Sequence, residues 1–139
     1  MRRSSDATAR PPAARRRRLP KAVVAAIDAS KILGVRAGRR SDHRFIGVWA
    51  VVVAGRVFVR SWTLKPDGWF RTFLTDPSGV IQIGDRVVRV RAAVVRSRRM
   101  RDAVEAAYAL KYATPGAKRY VRGFKTARRR DSTTEFLPR

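Results

Sequence analysis

Val48-Trp49-Ala50-Val51-Val52-Val53-Ala54-Gly55-Arg56-Val57-Phe58-Val59-Arg60-Ser61-Trp62 is the stretch on which the fold turns. Two valine-rich runs meet at Ala54-Gly55, where the glycine is free to take positive φ and close a tight hairpin. Ala54 is a poorer turn residue than the Asn or Asp usual at that place. The pattern predicts one strand over residues 44–53 and its partner over 56–62. Side chains alternate across a strand, so Val57, Val59 and Ser61 share one face while Phe58, Arg60 and Trp62 share the other.

Working outward, residues 32–36 form a further strand candidate that ends in a turn-rich segment, 37–42. Before it, residues 20–29 read as a short helix, with Pro20 near its first turn and Val23, Val24 and Ile27 at helical spacing. Downstream, Pro66-Asp67-Gly68 opens a short helix in which Trp69 and Phe73 are one turn apart, as are Phe70 and Leu74. Asp76-Pro77-Ser78-Gly79 is a turn. Residues 80–83 and 86–95 make a second hairpin on Gly84-Asp85, with Val88, Val90, Ala92 and Val94 on one face and Arg89 and Arg91 opposite. Ser97 can cap a helix over residues 98–111 whose stripe is Val104, Ala107, Tyr108 and Lys111. Pro115-Gly116 punctuates the basic segment 114–130, which carries Tyr120, Arg122 and Phe124. A last strand, 133–137, returns to the sheet. The expected class is α+β: a small antiparallel split β-barrel of about six strands with two to three short helices.

The chain has 139 residues, 33 of them Lys or Arg against 10 Asp or Glu, for a net charge of +23. That length supports one core. Residues 1–20, rich in Arg, Pro and Ala, are expected to be a disordered tail, and residues 21–139 a single domain. Most of the charge lies beyond the tail, so the domain itself should attract anions: nucleic acid, lipid or phosphorylated small molecules. A GC-rich genome would yield the same arginine bias without selection for a partner. Cysteine is absent, which excludes disulfides, thiolate metal sites and cysteine nucleophiles. No apolar run approaches the ~20 residues of a membrane-spanning helix, and 23–27 is too short for a secretory signal core of about 7–15 residues. A cytoplasmic protein is expected.

Asp42-His43-Arg44-Phe45-Ile46-Gly47-Val48-Trp49, Val57-Phe58-Val59-Arg60-Ser61-Trp62 and Gly68-Trp69-Phe70-Arg71 together resemble a bacterial family of uncharacterised proteins, a domain of unknown function. Ile81-Gln82-Ile83-Gly84-Asp85, Ala106-Ala107-Tyr108-Ala109-Leu110-Lys111-Tyr112 and the terminal Leu137-Pro138-Arg139 fit the same pattern. More distantly, the element order is similar to the pyridoxamine-phosphate-oxidase-like split barrel of flavin- and deazaflavin-binding oxidoreductases. That resemblance implies a dimer with FMN or a deazaflavin near the interface. Its phosphate would be held by Arg60 and Ser61 at a strand end and by Lys65 and Arg71 around the next helix. The serine- and threonine-rich spacing usual before the basic residue is reduced here to Trp62-Thr63-Leu64-Lys65.

The residue chemistry fits that implication in part. An arginine fork matches phosphate geometry and serine adds a hydroxyl donor. Any one of these arginines, in so basic a chain, reads equally well as a surface residue paired with Asp67, Asp76 or solvent. Trp62 and Trp69, near element ends, are the candidate ring contacts, while Trp49 reads as core. The lone His43 lacks a second ligand for a metal. Asp102 and Glu105 are expected to pair along their own helix with Arg98 and Arg101, not to act as catalytic acids, and no nucleophile motif suggests a hydrolase.

Two functions therefore stand side by side. One is a dimeric, reductase-like split barrel with Arg60, Ser61, Lys65 and Arg71 on a cofactor's anion and Trp62 and Trp69 near its rings. The other is a basic nucleic-acid-binding module without enzymatic activity, using the arginine tail, Arg89 and Arg91, and Tyr120 and Phe124 as stacking groups. A barrel whose tryptophans have filled the pocket, leaving a scaffold, is the third.

Overall fold

A computed structural model describes residues 18–39 and 43–139. The expected tail over residues 1–17 and the turn residues 40–42 lie outside the described residues. At the inner edge of that expected tail, Leu19 is buried in the core and Arg18 Nη1 donates to the Ala54 carbonyl at 2.8 Å, so the folded part begins before residue 21.

The chain forms α1 (Lys21–Ala29), β1 (Leu33–Ala37), β2 (Ile46–Val48), β3 (Ala50–Val53) and β4 (Arg56–Val59). These are followed by α2 (Trp69–Thr75), β5 (Ser78–Ile83), β6 (Arg86–Val94), α3 (Arg98–Lys111), α4 (Pro115–Gly123), α5 (Ala127–Arg130) and β7 (Thr134–Pro138). The strands make one antiparallel sheet in the order β2-β1-β5-β6-β7-β4-β3. Its two edge strands, β2 and β3, are joined by Trp49 alone, so the sheet curls almost shut. The architecture is the expected α+β split barrel, with seven strands and five helices among the described residues.

Trp49 is where the sequence pattern misled. The single strand expected over residues 44–53 is two strands, because its halves have different partners: Val48 faces Leu33 of β1, whereas Ala50 faces Val59 of β4. A chain leaving one partner for another must bend, and the bend falls at the residue that pairs with neither. At the β3–β4 turn both Ala54 (φ 53°) and Gly55 (φ 75°) take the left-handed conformation, the two-residue hairpin geometry whose twist matches the strands. Ala54 accepts that strain.

Both faces of β4 are buried. Val57 and Val59 point into the barrel with Val35, Ile81, Val90 and Phe136, and α1 adds Val23 and Ile27 while α2 adds Trp69 and Phe73. Phe58 points outward into a second cluster beneath α3 and α4, with Val51, Val104, Tyr108, Tyr112, Val121 and Phe124. Each fully buried aliphatic or phenyl side chain contributes about 1.5–3 kcal/mol, so this second cluster is a substantial part of the fold. Ser97 caps α3 by accepting from the Met100 amide at 3.1 Å, as its position predicts.

The helices α4 and α5 were not foreseen. Pro115 punctuates the sequence, but proline also suits the first helical turn, where its missing N–H costs nothing. Ala117, Val121 and Phe124 then line the buried side at helical spacing.

Candidate functional site

The loop from β4 to α2 passes between two adjoining cavities. The first has a volume of about 380 Å³ and is largely apolar, walled by Val48, Trp49, Trp62, Trp69, Tyr120 and Phe124, with Arg60, Thr63 and Gly68 on its border. The second, about 190 Å³, is bordered by Lys65, Arg71 and Arg128 together with Leu64, Phe70, Asp131 and Ser132. Thr63 and Gly68 border both. A Cβ on Gly68 would lie 2.8 Å from the Thr63 methyl, so the close approach of these two shared border residues needs glycine at 68. A third cavity, bordered by His43, Arg44, Asp67 and Thr72, shares Ile46 and Trp69 with the first.

Arg60 does something other than the expected anchoring. Its side chain is fully buried, and its guanidinium is spent on protein acceptors. Nε donates to Thr133 Oγ1 (2.7 Å), Nη1 to the Phe124 carbonyl (3.0 Å) and to Glu105 (3.1 Å), and Nη2 to the Arg101 carbonyl (2.8 Å). Its amide donates to the Tyr108 hydroxyl at 3.0 Å, and that hydroxyl donates to the Trp49 carbonyl at 2.5 Å. Burial pulls the Arg60 guanidinium below its ordinary value, against the hydrogen bond it donates to Glu105, which raises it. Glu105 also holds Arg130, which reaches Asp102 at 3.1 Å, and Arg101 pairs with Asp131 at 2.9 Å. The acids expected to pair within their own helix therefore pair across elements: Arg60 at the end of β4 reaches Glu105, and the strap that follows α3, residues 112–133, presents Arg130 to both. Arg60 is a brace: its bonds tie β4, α3, the end of α4 and the start of β7 together.

Ser61 is likewise turned inward. It is 1% exposed, its amide donates to Ser132 Oγ at 2.8 Å and its hydroxyl to the Thr63 carbonyl at 2.8 Å. It shapes the loop and borders neither of the two adjoining cavities. Trp62 is 42% exposed at the mouth of the apolar cavity. The Arg129 guanidinium lies over it at 4.0 Å, and Tyr120 and Phe124 meet it edge-on at 5.1 and 5.7 Å. Trp69 borders the cavity but is buried, packed edge-on against Phe70 and Phe73. Trp49, expected in the core, packs against the second cluster by parallel stacking on Tyr112 at 4.2 Å and also walls the cavity.

Lys65 and Arg71 border one cleft, and so does Arg128, which the sequence reading missed. Among the described residues none of the three side chains has a hydrogen bond or ion pair, and the one carboxylate nearby, Asp131, is taken by Arg101. Tyr120 and Phe124, expected on a nucleic-acid surface, instead wall the apolar cavity. The helical spacing Ala117-Val121-Phe124 was the available signal for them. No group of three or more metal-ligating side chains occurs among the described residues.

An apolar chamber with aromatic faces, adjoining a cleft of cations unpaired among the described residues, has the donor set for a planar ring bearing a phosphate tail. Among solved structures, a conserved hypothetical protein from Mycobacterium tuberculosis superposes with a TM-score of 0.56 at 13% identity, covering 83% of this chain and 76% of that one. An F420-H2-dependent reductase gives 0.54 at 16%, covering 77% and 93%. A heme-binding protein from Mycobacterium smegmatis gives 0.51 at 19%, covering 94% and 52%. Identities this low show a shared fold alone. Among curated proteins, nothing matches the sequence significantly. Residues 23–136 match the profile of a family described as uncharacterized protein conserved in bacteria (DUF2255), and the chain belongs to that family.

Proposed function

We propose that this protein binds a planar phosphorylated cofactor of the flavin or deazaflavin type and acts as a split-barrel, reductase-like protein. The observation that carries the reading is the pairing of an apolar, tryptophan-walled cavity with a neighbouring cleft of unpaired cations. Structural likeness to an F420-H2-dependent reductase supports it at the level of fold. Trp62 and Trp69 contact the ring, joined by Trp49; Lys65 and Arg71 meet the phosphate. Arg60 and Ser61 act from behind, holding the loop that carries these groups. Such a cofactor supplies the hydride chemistry itself, while this chain orients the ring, anchors its tail and keeps water off the apolar face. The reading includes a cytoplasmic homodimer, to be checked by sedimentation equilibrium.

Titration with FMN and with F420, followed by quenching of tryptophan fluorescence, tests it. Saturable quenching is expected with at least one of them, and a Lys65→Gln, Arg71→Gln double variant should bind at least tenfold more weakly. Absence of quenching with either, together with no flavin-type molecule in a mass-spectrometric inventory of what copurifies, counts against the reading.

A second reading, a nucleic-acid-binding module, is favoured by one observation. Arg36, Val80 and Arg89 lie side by side across β1, β5 and β6, with Arg91 two residues further along, and Arg89 and Arg91 are exposed. No ion pair is made by these three arginines among the described residues. Affinity for a single-stranded oligonucleotide should fall with salt, with a log–log slope of about −0.7 per phosphate neutralised. A triple Arg36→Gln, Arg89→Gln, Arg91→Gln variant should make that slope shallower by about 2. An unchanged slope removes this face from consideration.

A further inference from the structure

We infer that Arg119 and Arg129 make a second anion site, on the strap's side of the apolar cavity, and that it takes the carboxylate of a flat, apolar acid. The proposal goes beyond the cofactor reading and does not need it. Trp62 and Tyr120 both border the cavity and meet edge-on at 5.1 Å. Each carries its own cation: Arg129 Cζ lies 4.0 Å from the Trp62 ring centroid, and Arg119 Cζ 4.9 Å from that of Tyr120. A guanidinium held over a ring is attracted by the π face, which leaves its N–H fork to other acceptors. Here each fork spends one donor locally: Arg129 Nε on the Trp62 carbonyl at 2.9 Å, and Arg119 Nη2 on the Tyr120 hydroxyl at 3.1 Å. Among the described residues neither side chain has another hydrogen bond or any ion pair.

The acids of α3 and the strap are committed elsewhere. Asp131 is taken by Arg101, and Asp102 and Glu105 hold Arg130, the immediate neighbour of Arg129. Among the described residues no acid borders the cavity, while Arg60 does. Low-dielectric walls concentrate such a field. A ligand touching these two rings is therefore favoured when it carries negative charge and disfavoured when it carries positive charge. The rest of the wall sets the ligand's body. At about 380 Å³ the cavity lies within the ~300–1,000 Å³ of small-molecule sites, and its lining is mostly apolar and aromatic. A small fused-ring acid suits both halves, with its rings against Trp62 and Tyr120 and its carboxylate on the two guanidiniums, whose planar forks match it. Lys65 and Arg71 border the other cavity and take no part.

Calorimetric titration of the full chain with naphthoate and with naphthamide, its uncharged counterpart, tests this. The acid should bind about tenfold more tightly or better, the worth of a charge-assisted hydrogen bond. An Arg119→Gln, Arg129→Gln double variant should erase that preference by weakening the acid alone, because the amide uses only the rings. Arg119→Gln by itself, which removes only the contacts to Tyr120, should already lose part of the preference. A Lys65→Gln, Arg71→Gln variant should keep it whole. Equal affinity for acid and amide, a preference that survives the double variant, or one that vanishes instead with Lys65 and Arg71 overturns the proposal. A double variant that loses acid and amide alike also overturns it, since the two arginines then only steady the wall. Failure of both naphthalenes to bind overturns it too, and leaves the cofactor reading to the titration with FMN and F420.

Discussion

Arg60 and Arg71 stand eleven residues apart on either side of one loop, carry the same charge, and have opposite fates. Arg60 is sealed beneath the strap with bonds to four protein acceptors; Arg71 faces an open cleft with none among the described residues. The sequence gives both the same local credentials, a basic residue near the end of a regular element. What separates them is the supply of acceptors. α3 and the strap bring Glu105, Thr133 and the Arg101 and Phe124 carbonyls to Arg60, whereas Arg71 shares its cleft with Lys65, Arg128 and one carboxylate, Asp131, that bonds Arg101 instead. A buried guanidinium without acceptors would be prohibitively costly, and a solvated one without them is merely available. In this molecule, satisfied arginines make the fold and unsatisfied ones make the candidate site.

The harshest way to break that contrast is Arg60→Met. Removing one partner of a buried ion pair costs about 3–5 kcal/mol, and here it also leaves the Phe124 carbonyl without its donor. Denaturant unfolding should show a loss of that size, and ligand affinity should fall with it as the strap loosens. Arg60→Lys keeps the charge but cannot reach four acceptors, so only part of the stability should return. A stable Arg60→Met protein that has lost only ligand binding would make Arg60 a ligand contact after all.

A smaller effect tests the strap itself. Gly123 precedes Phe124, and a Cβ there would come within 2.5 Å of the Trp62 ring. Gly123→Ala should cost about 1–3 kcal/mol as overpacking, push Trp62 off its cover and shift its fluorescence. An unaltered emission spectrum with unaltered stability would mean that the ring yields freely and that the cavity wall is soft.

Smaller again is the alkaline response of Tyr112, which braces the corner at Trp49. Its hydroxyl donates to the Lys31 carbonyl at 2.7 Å, and burial pushes it up to about 12 from the ordinary 10.0, against the lowering effect of its hydrogen bond to Ala50. The folded state thus holds this proton more tightly than the unfolded chain. The contribution is complete below about pH 10 and is lost as pH rises from there toward about 12. Tyr112→Phe should flatten the loss of stability in that window, at a cost near neutrality of about 1 kcal/mol for the missing hydrogen bond.

Legibility follows the same division. Strand alternation and turn residues suffice for β1, β4, the β5–β6 hairpin, α1, α2 and α3, because each buries a face whose period is local. They fail at Trp49, where the break between β2 and β3 depends on which strands lie on either side, information that no local period carries. They fail again at α4, where proline has two meanings and only the buried stripe Ala117-Val121-Phe124 decides between them. For the candidate site, Lys65 and Arg71 were legible as a pair around one loop. Arg128 was not, since 57 residues separate it from Arg71 and only the return of the chain beneath β4 brings them together. The inward turn of Arg60 was hidden for the same reason: its acceptors lie more than forty residues downstream.

The gentlest test is also the one that most sharpens the contrast. Lys65→Gln with Arg71→Gln removes two cations that pair with nothing among the described residues, so stability should move by no more than about 0.5 kcal/mol. The direction is informative too. In a chain of net charge +23, less self-repulsion favours the compact state, so any change in melting temperature should be upward. Ligand affinity should move the other way, downward at least tenfold, because the same repulsion that the free protein bears is what a bound phosphate relieves. Stability and affinity changing in opposite senses is the mark of cations kept for a ligand. A fall in both together would place Lys65 and Arg71 with Arg60, among the residues that hold the fold.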